Sequence, residues 1–401
     1  MNGNIYNPEM SPESKISFGK SSSRGEWPWQ VSLRQKPSRN SKERLSLHFC
    51  GAVLIDSETV LTAAHCLWNC NSKIGCQKGE GSFIHDYFIV ALGFYKTSVN
   101  KKEKERIIEQ DGKFGTQIQH IDTRKDREKG KVIVHPSYKG ENYYADHWLE
   151  KSEKSGWIPN DIAIIKLKTQ INFNKNSDSN LFGDKNKVQR GKEPIGTYVR
   201  PICLPRPDGG IKPKNKNKIW ITGYGVVESG KICKRSKIEN SSKEKQSCLA
   251  LRGVEAKQAN VLKEGELNLI TNRKCTSKLS NAWKQSNRIT YHITKTQVCA
   301  HSERKNAVDT CPGDSGGPMS MSVTSKMIMK NNKRKSPSQK KKIEMYNQME
   351  RYQLEGITSW GFGCGQKLPG VYTKVSHFMD FILEHSKYIQ TVENEMLSRR
   401  L

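Results

Sequence analysis

Short apolar runs separated by long polar stretches run through the chain, and their texture predicts strands. The runs are WPWQVSL (27–33), FCGAVLI (49–55), DYFIVAL (86–92), KVIVHP (131–136), DIAIIKL (161–167), KIWITGYG (218–225), GELNLI (265–270), GITSW (356–360) and GVYTKV (370–375). Several alternate or are rich in β-branched residues, and they stop at Gly, Pro or charged clusters, as strands do. One segment differs: Phe378, Phe381, Ile382, His385 and Ile389 recur at helical spacing, which predicts a closing amphipathic helix. The expectation is an all-β chain with one terminal helix and no repeat of fixed period.

Composition changes this picture mainly in the connections. At 401 residues the chain exceeds the roughly 200–250 that one all-β domain usually needs. The surplus lies in residues 96–130, 139–158, 174–193, 228–257 and 326–342, which are polar, charged or rich in Asn and Lys. Hydrophobic content of 34% still supplies a core, and the diluting residues are those of solvated loops. A single domain with inflated loops is therefore expected.

The formal charge of +28 comes from 68 basic against 40 acidic residues, a field that attracts polyanions. No zinc-finger spacing or aromatic-interleaved basic stripe accompanies it, so nucleic acid is not the expected partner. The densest block holds Lys326, Lys330, Lys333, Arg334, Lys335, Lys340, Lys341 and Lys342 without an acid. A solvated insertion is the preferred reading, and a site for an anionic glycan is the functional alternative. Asn240-Ser241-Ser242 forms a glycosylation sequon in another insertion.

Eleven cysteines are scattered rather than set in C-x-x-C pairs. That argues for disulfides in an oxidising compartment and against zinc, and no metal or cofactor is expected. The opening MNGNIYNPEMSPESK lacks the apolar core of a signal peptide, and no run is long and apolar enough to span a bilayer. The expectation is a secreted or extracellular protein whose signal or anchor lies outside this sequence.

The chemistry concentrates in three segments. DTCPGDSGGP (309–318) is a glycine-rich loop that exposes a hydroxyl at Ser315 and can aim backbone N–H groups at one point. A nucleophilic Ser needs a base and a site for the developing oxyanion. LTAAHC (61–66) offers the base in His65, and NDIAIIKL (160–167) offers a carboxylate in Asp161 to orient it. Each segment alone has an ordinary explanation: a turn, a structural His, a strand cap. Together they occur in the order His, Asp, Ser used by chymotrypsin-type enzymes.

With ISFG (16–19), RPICLP (200–205), TGYG, ITSWG and PGVYTKV added to these motifs, the sequence resembles the chymotrypsin/trypsin family from about Ile16 to Ile389. The resemblance implies two six-stranded antiparallel β-barrels with a C-terminal helix, large loop insertions and an active site between the barrels. Its N-terminal barrel would span about 16–200 and its C-terminal barrel about 201–390, with 1–15 as pro-segment and 391–401 as polar tail. It implies a catalytic triad of His65, Asp161 and Ser315, an oxyanion hole from the N–H groups of Gly313 and Ser315, and Ser359 supporting Asp161. Asp309 falls at the base of the substrate pocket, beside Trp360 and between walls at Gly361 and Gly370, which implies cleavage after Arg or Lys. Pro312, at the rim, departs from the family pattern and is expected to narrow substrate choice.

The resemblance also implies a zymogen cut at Lys15–Ile16 by a trypsin-like activator, the new Ile16 amine then docking on Asp314. Ser17 stands where relatives commonly have Val. Three disulfides follow from it: Cys50–Cys66, Cys275–Cys299 and Cys311–Cys364. A further family bridge would need cysteines at Ile219 and Met321, and both positions are apolar. Proximity alone suggests Cys70–Cys76 and Cys233–Cys248, leaving Cys203 either to tether an upstream segment or as a buried thiol. The expected partners are protein or peptide substrates of a monomeric catalytic domain. The competing reading is a catalytically silent homologue acting as a secreted binding module, although no triad member is missing.

Overall fold

A computed structural model describes residues 19–23, 25–35, 48–70, 81–95, 117–123, 131–138, 158–171, 173, 199–205, 218–232, 254–283, 292–303, 308–323, 351–361 and 368–387. The first half of the chain supplies β1 (Lys20–Ser21), β2 (Gln30–Gln35), β3 (His48–Leu54), β4 (Thr59–Thr62), a 3-10 turn (Ala64–Cys66), β5 (Trp68–Cys70), β6 (Gly81–Phe83), β7 (Tyr87–Leu92), β8 (Gln117–Asp122), β9 (Val132–Val134) and β10 (Ala163–Lys166). The second half supplies β11 (Lys218–Gly223), β12 (Val226–Ile232), β13 (Val254–Gln258), β14 (Lys263–Ile270), α1 (Asn272–Trp283), β15 (Gln297–His301), β16 (Pro318–Val323), β17 (Arg351–Trp360), β18 (Gly370–Lys374), a second 3-10 turn (Val375–Phe378) and α2 (Met379–Glu384).

The all-β expectation holds, with antiparallel pairing throughout both large sheets. Six strands in the order β14-β11-β16-β17-β18-β15 close into a barrel because β15 pairs back onto β14, and β1 adds to the outer side of β14. The order β8-β7-β2-β3-β4-β10-β9 forms a second, curled sheet, a half-barrel. Alternation drives both cores. Val31, Leu33, Leu54, Leu61, Val90 and Ile164 fill the first, and Ile219, Ile221, Leu267, Met319, Met321 and Tyr372 fill the second. Ile219 and Met321 are direct cross-strand partners, so an apolar pair occupies the two positions at which the resemblance would call for a bridge.

The termini cross between the two sheets. β1, from the start of the chain, pairs with β14 of the C-terminal barrel. Phe378, Met379, Phe381 and Ile382, from its end, pack into the core of the N-terminal sheet. Lys166 Nζ donates to the His385 carbonyl at 3.1 Å, and the Lys387 N–H donates to Asp56 Oδ2 at 3.0 Å, which locks this closing segment. The two halves are thus tied together on both sides of the interface between them.

Two features depart from the sequence pattern. Helix α1 was not anticipated, because Cys275 and Leu279 are its fully buried apolar positions and two residues make a weak periodic signal. A disulfide and hydrogen bonds from Asn272 Nδ2 to the carbonyls of Thr294 (2.9 Å) and Gln297 (3.2 Å) anchor it instead. Strand β8 lies inside the polar stretch 96–130, where ladder pairing with β7 rather than apolar character defines it. Most of the other inserted residues, including 326–342 and the sequon, lie outside the described residues.

Candidate active site

His65 sits in the tight 3-10 turn that follows β4, with its neighbour Cys66 bonded to Cys50 of β3. Asp161 precedes β10, which pairs with β4, so the register of these two strands brings imidazole and carboxylate together. Asp161 Oδ2 lies 2.8 Å from His65 Nδ1, and Asp161 Oδ1 accepts the His65 backbone N–H at 2.9 Å. Ser359 Oγ, from β17 of the other barrel, donates to Asp161 Oδ2 at 2.5 Å. Thr373 Oγ1, from β18, donates to the Asp161 carbonyl at 2.7 Å. Asp161 is fully buried. Burial alone pushes its carboxyl up, but the facing His65 charge and the hydrogen bonds from His65 and Ser359 prevail and hold it below the usual range. A carboxylate can only accept, so it fixes the proton on His65 Nδ1 and leaves the Nε2 lone pair facing outward.

The loop carrying Ser315 packs directly on this turn. The Ser315 carbonyl accepts the Gly51 N–H at 2.7 Å. Cys66 Sγ lies 3.6 Å from that carbonyl oxygen and 3.9 Å from His65 Nε2, so Ser315 and the open imidazole nitrogen abut the same sulfur. Gly316 adopts φ +78°, and a Cβ there would collide with Thr62 Oγ1 and the Gly51 carbonyl. Only glycine permits that approach. Gly313, at φ +98°, turns the chain just before Asp314. The amides of Asp314, Gly316 and Gly317 donate to Cys311, Thr358 and Asp314 carbonyls. Among the described residues, those of Gly313 and Ser315 have no acceptor.

Asp314 is buried beneath this loop. Its oxygens accept the Gly225 N–H at 2.7 Å and the Cys311 N–H at 2.9 Å. Burial outweighs these two hydrogen bonds and raises its carboxyl to about 6. No cation pairs with it among the described residues. Ile16, Lys15 and Ser17 lie outside them.

A residue missed in the sequence reading supports the loop from below. His48 Nε2 donates to the Gly313 carbonyl at 2.7 Å, and Ser32 Oγ meets His48 Nδ1 at 2.8 Å. The carbonyl acceptor dictates the Nε2–H tautomer, so Ser32 is the donor. Burial drives this imidazole down to about 3, opposed by its bond to Gly313 and reinforced by Arg34. His48 therefore stays neutral, and it orients the backbone next to Ser315. Its position in FCGAVLI's flank is the only trace it leaves in the sequence.

The expected pocket residues also converge. Asp309 is buried, and its Oδ1 accepts the Thr310 N–H at 2.9 Å. A Cβ on Gly361 would lie 3.8 Å from Gly370 Cα, and one on Gly370 would lie 3.0 Å from the Tyr372 hydroxyl. Burial and then the Asp309 charge raise that hydroxyl above its normal range. Tyr372, also missed, thus lies between Gly370 and the Asp309 carboxylate. Trp360 precedes Gly361 at the end of β17, and Pro312 is exposed at the loop's outer edge.

Cys50–Cys66 and Cys275–Cys299 are formed. Cys311 is disulfide-bonded, and its expected partner Cys364 lies outside the described residues, as do Cys76, Cys233, Cys248 and the side chain of Cys70. Cys203 is exposed, which corrects the reading of it as a buried thiol. Cys50, His65 and Cys66 gather closely, but with both sulfurs in a disulfide they supply no thiolate for a metal.

A buried carboxylate paired with an imidazole, and a glycine-rich Ser315 loop packed on the same turn, meet where the closed barrel abuts the half-barrel. The family model described as Trypsin matches residues 16–89 and 230–382, and the chain belongs to the trypsin family of serine proteases. It is 28% identical to coagulation factor XI of Bos taurus over 377 residues, covering 94% of this chain and 38% of that protein. It is 26% identical to serine proteinase stubble of Drosophila melanogaster over 376 residues, covering 93% of this chain and 31% of that protein. The chain spans about a third of the length of these relatives. No helix among the described residues is long and apolar enough to cross a membrane.

Proposed function

We propose that this chain is a secreted serine endopeptidase that hydrolyses peptide bonds after Arg or Lys and is made as a zymogen. In this reading residues 1–15 are the pro-segment, 16–390 the monomeric peptidase domain and 391–401 a polar tail. The observation that carries the proposal is the buried Asp161 carboxylate, which holds His65 Nδ1 at 2.8 Å while Ser359 holds the carboxylate at 2.5 Å. A charge so costly to bury is expected where it must orient a base.

The mechanism follows from these groups. His65 Nε2 takes the proton from Ser315 Oγ as the oxygen attacks the scissile carbonyl, and returns it to the leaving amine. Asp161 stabilises the imidazolium that forms between. The Gly313 and Ser315 N–H groups receive the oxyanion, each donor lowering the barrier by about 3–4 kcal/mol. Asp309 pairs with the substrate's Arg or Lys. Water then hydrolyses the acyl-enzyme by the same proton route.

A fluorophosphonate probe tests the assignment. Protein cleaved at Lys15 should label, and Ser315→Ala should abolish labelling. Folded, cleaved wild type that does not label would instead indicate a silent homologue.

Activation carries its own expectation. A carboxyl raised to about 6 in the fold favours the native state only while protonated. Stability of the uncut chain is therefore present below pH 4 and falls as pH rises through 6, by roughly 3 kcal/mol. Pairing with a freed Ile16 amine reverses this. On a Ser315→Ala background, the cut chain should melt higher than the uncut chain near pH 7. The gap should close below pH 4, and again above about pH 8 as the amine loses its charge. A gap constant across that range would count against the docking of Ile16 on Asp314.

A further inference from the structure

The first described residues after the proposed scissile bond are fastened unusually closely. Lys20 Nζ lies 2.8 Å from Glu264 Oε1 and 5.7 Å from the centre of the Trp220 ring. Glu264 is 1% exposed, and Trp27 Nε1 donates to its other oxygen at 2.6 Å. The backbone is held as well: Lys20 and Ser21 pair with Glu264 and Lys263 across β1 and β14. Lys263 Nζ donates to Ser21 Oγ at 2.6 Å, the Ser22 N–H donates to the Leu262 carbonyl at 3.1 Å, and Tyr95 Oη donates to the Ser22 carbonyl at 3.0 Å.

This matters because Lys20 is itself a lysine, five residues after Lys15. An activator that cuts after Lys finds the Lys20–Ser21 bond close behind Lys15–Ile16, and so does the activated enzyme acting on its own kind. Hydrolysis of Lys20–Ser21 by water would release residues 16–20, taking the Ile16 amine away. A protease must draw the scissile stretch away from its own fold as an extended strand and insert the lysine side chain into its pocket. Lys20 can enter a pocket only by leaving Glu264, which strands a buried carboxylate without its cation. Ser21 and Ser22 must also leave their ladder and side-chain tethers.

We propose that the Lys20–Glu264 clasp, braced by Trp27, is a proteolytic guard that directs Lys-specific cleavage to Lys15–Ile16 and away from Lys20–Ser21. The inference rests on the activation reading above. The charge pair decides the selectivity because its lysine is the very side chain the competing cut requires. Glu264→Gln removes the charge pair but none of the β1–β14 ladder partners, so the expected change is in how readily the Lys20 segment opens.

The test uses full-length Ser315→Ala protein, which cannot cut itself, treated with trypsin, and reads new N-termini by sequencing or mass spectrometry over time. The wild-type clasp should yield the Ile16 terminus with little Ser21 terminus. In Glu264→Gln, whose side-chain oxygen still accepts from Trp27, the Ser21:Ile16 ratio should rise about tenfold, tracking the larger open population. Adding Lys20→Gln should abolish the Ser21 terminus. If Glu264→Gln fails to fold, the parent protein in 1 M salt serves instead. Lys20 is 70% exposed, so screening should raise the same ratio. Equal Ser21:Ile16 ratios with and without the clasp, whether high or low, would overturn the proposal. The outcome is separable from that of the activation reading, which is judged by probe labelling of Ile16-terminated protein with Ser315 intact.

Discussion

Replacing Asp161 with Asn is expected to lower kcat by about 10⁴-fold while leaving the protein folded, the size of loss that follows when the orienting acid of such a triad becomes an amide. The reason lies in which groups can accept. The carboxylate takes hydrogen bonds from His65 Nδ1, the His65 backbone and Ser359 Oγ. An amide keeps one accepting oxygen and presents N–H groups in place of the other. His65 Nδ1 then becomes the acceptor, its proton moves to Nε2, and the nitrogen that should receive the Ser315 proton is blocked. Fluorophosphonate labelling and peptide hydrolysis should fall together. A drop smaller than about tenfold in activated Asp161→Asn protein would show that His65 does not depend on this carboxylate.

Replacing Asp309 with Ser is expected to lower kcat/KM for Arg and Lys substrates by two to three orders of magnitude. Removing one partner of a desolvated, hydrogen-bonded charge pair costs about 2–5 kcal/mol, which corresponds to roughly 30- to 5,000-fold. The loss should be selective. Asp309 is separated from Ser315 by the disulfide-bonded Cys311 and the loop above it, so small fluorophosphonates should still label at close to the parent rate. Cleavage profiling on a peptide library would read the change directly. Unaltered preference for Arg and Lys in Asp309→Ser would assign recognition elsewhere.

These two side chains differ in how they were legible. Asp309 and Ser315 share one continuous loop, whose glycines and spacing announce a strained turn built around a hydroxyl. The loop's glycines are required by contacts that the sequence does not display, such as Gly316 against Thr62 and Gly51. Asp161 was legible as an acid opening an apolar strand, a common arrangement. Its special state comes from burial against His65 and Ser359, which lie 96 and 198 residues away. The roles of His48 and Tyr372 were not legible, even with Tyr372 inside PGVYTKV, because they depend on distant groups, the Gly313 carbonyl and the Asp309 charge. Helix α1 escaped for a related reason: a disulfide and two hydrogen bonds hold it, and neither has a period.

What the amino-acid order determined on its own is the strand texture of the chain, the three segments that carry His65, Asp161 and Ser315, and the cysteines that brace two of them. Those are local properties, set by alternation, β-branching and glycine. Only the tertiary structure decided that β15 closes a barrel on β14, that the first strand and the last helix each pack against the opposite half, and that Glu264 holds Trp27 and Lys20 together. Such contacts join residues far apart in the chain, where burial makes each unpaired charge or donor costly and therefore selects its partner.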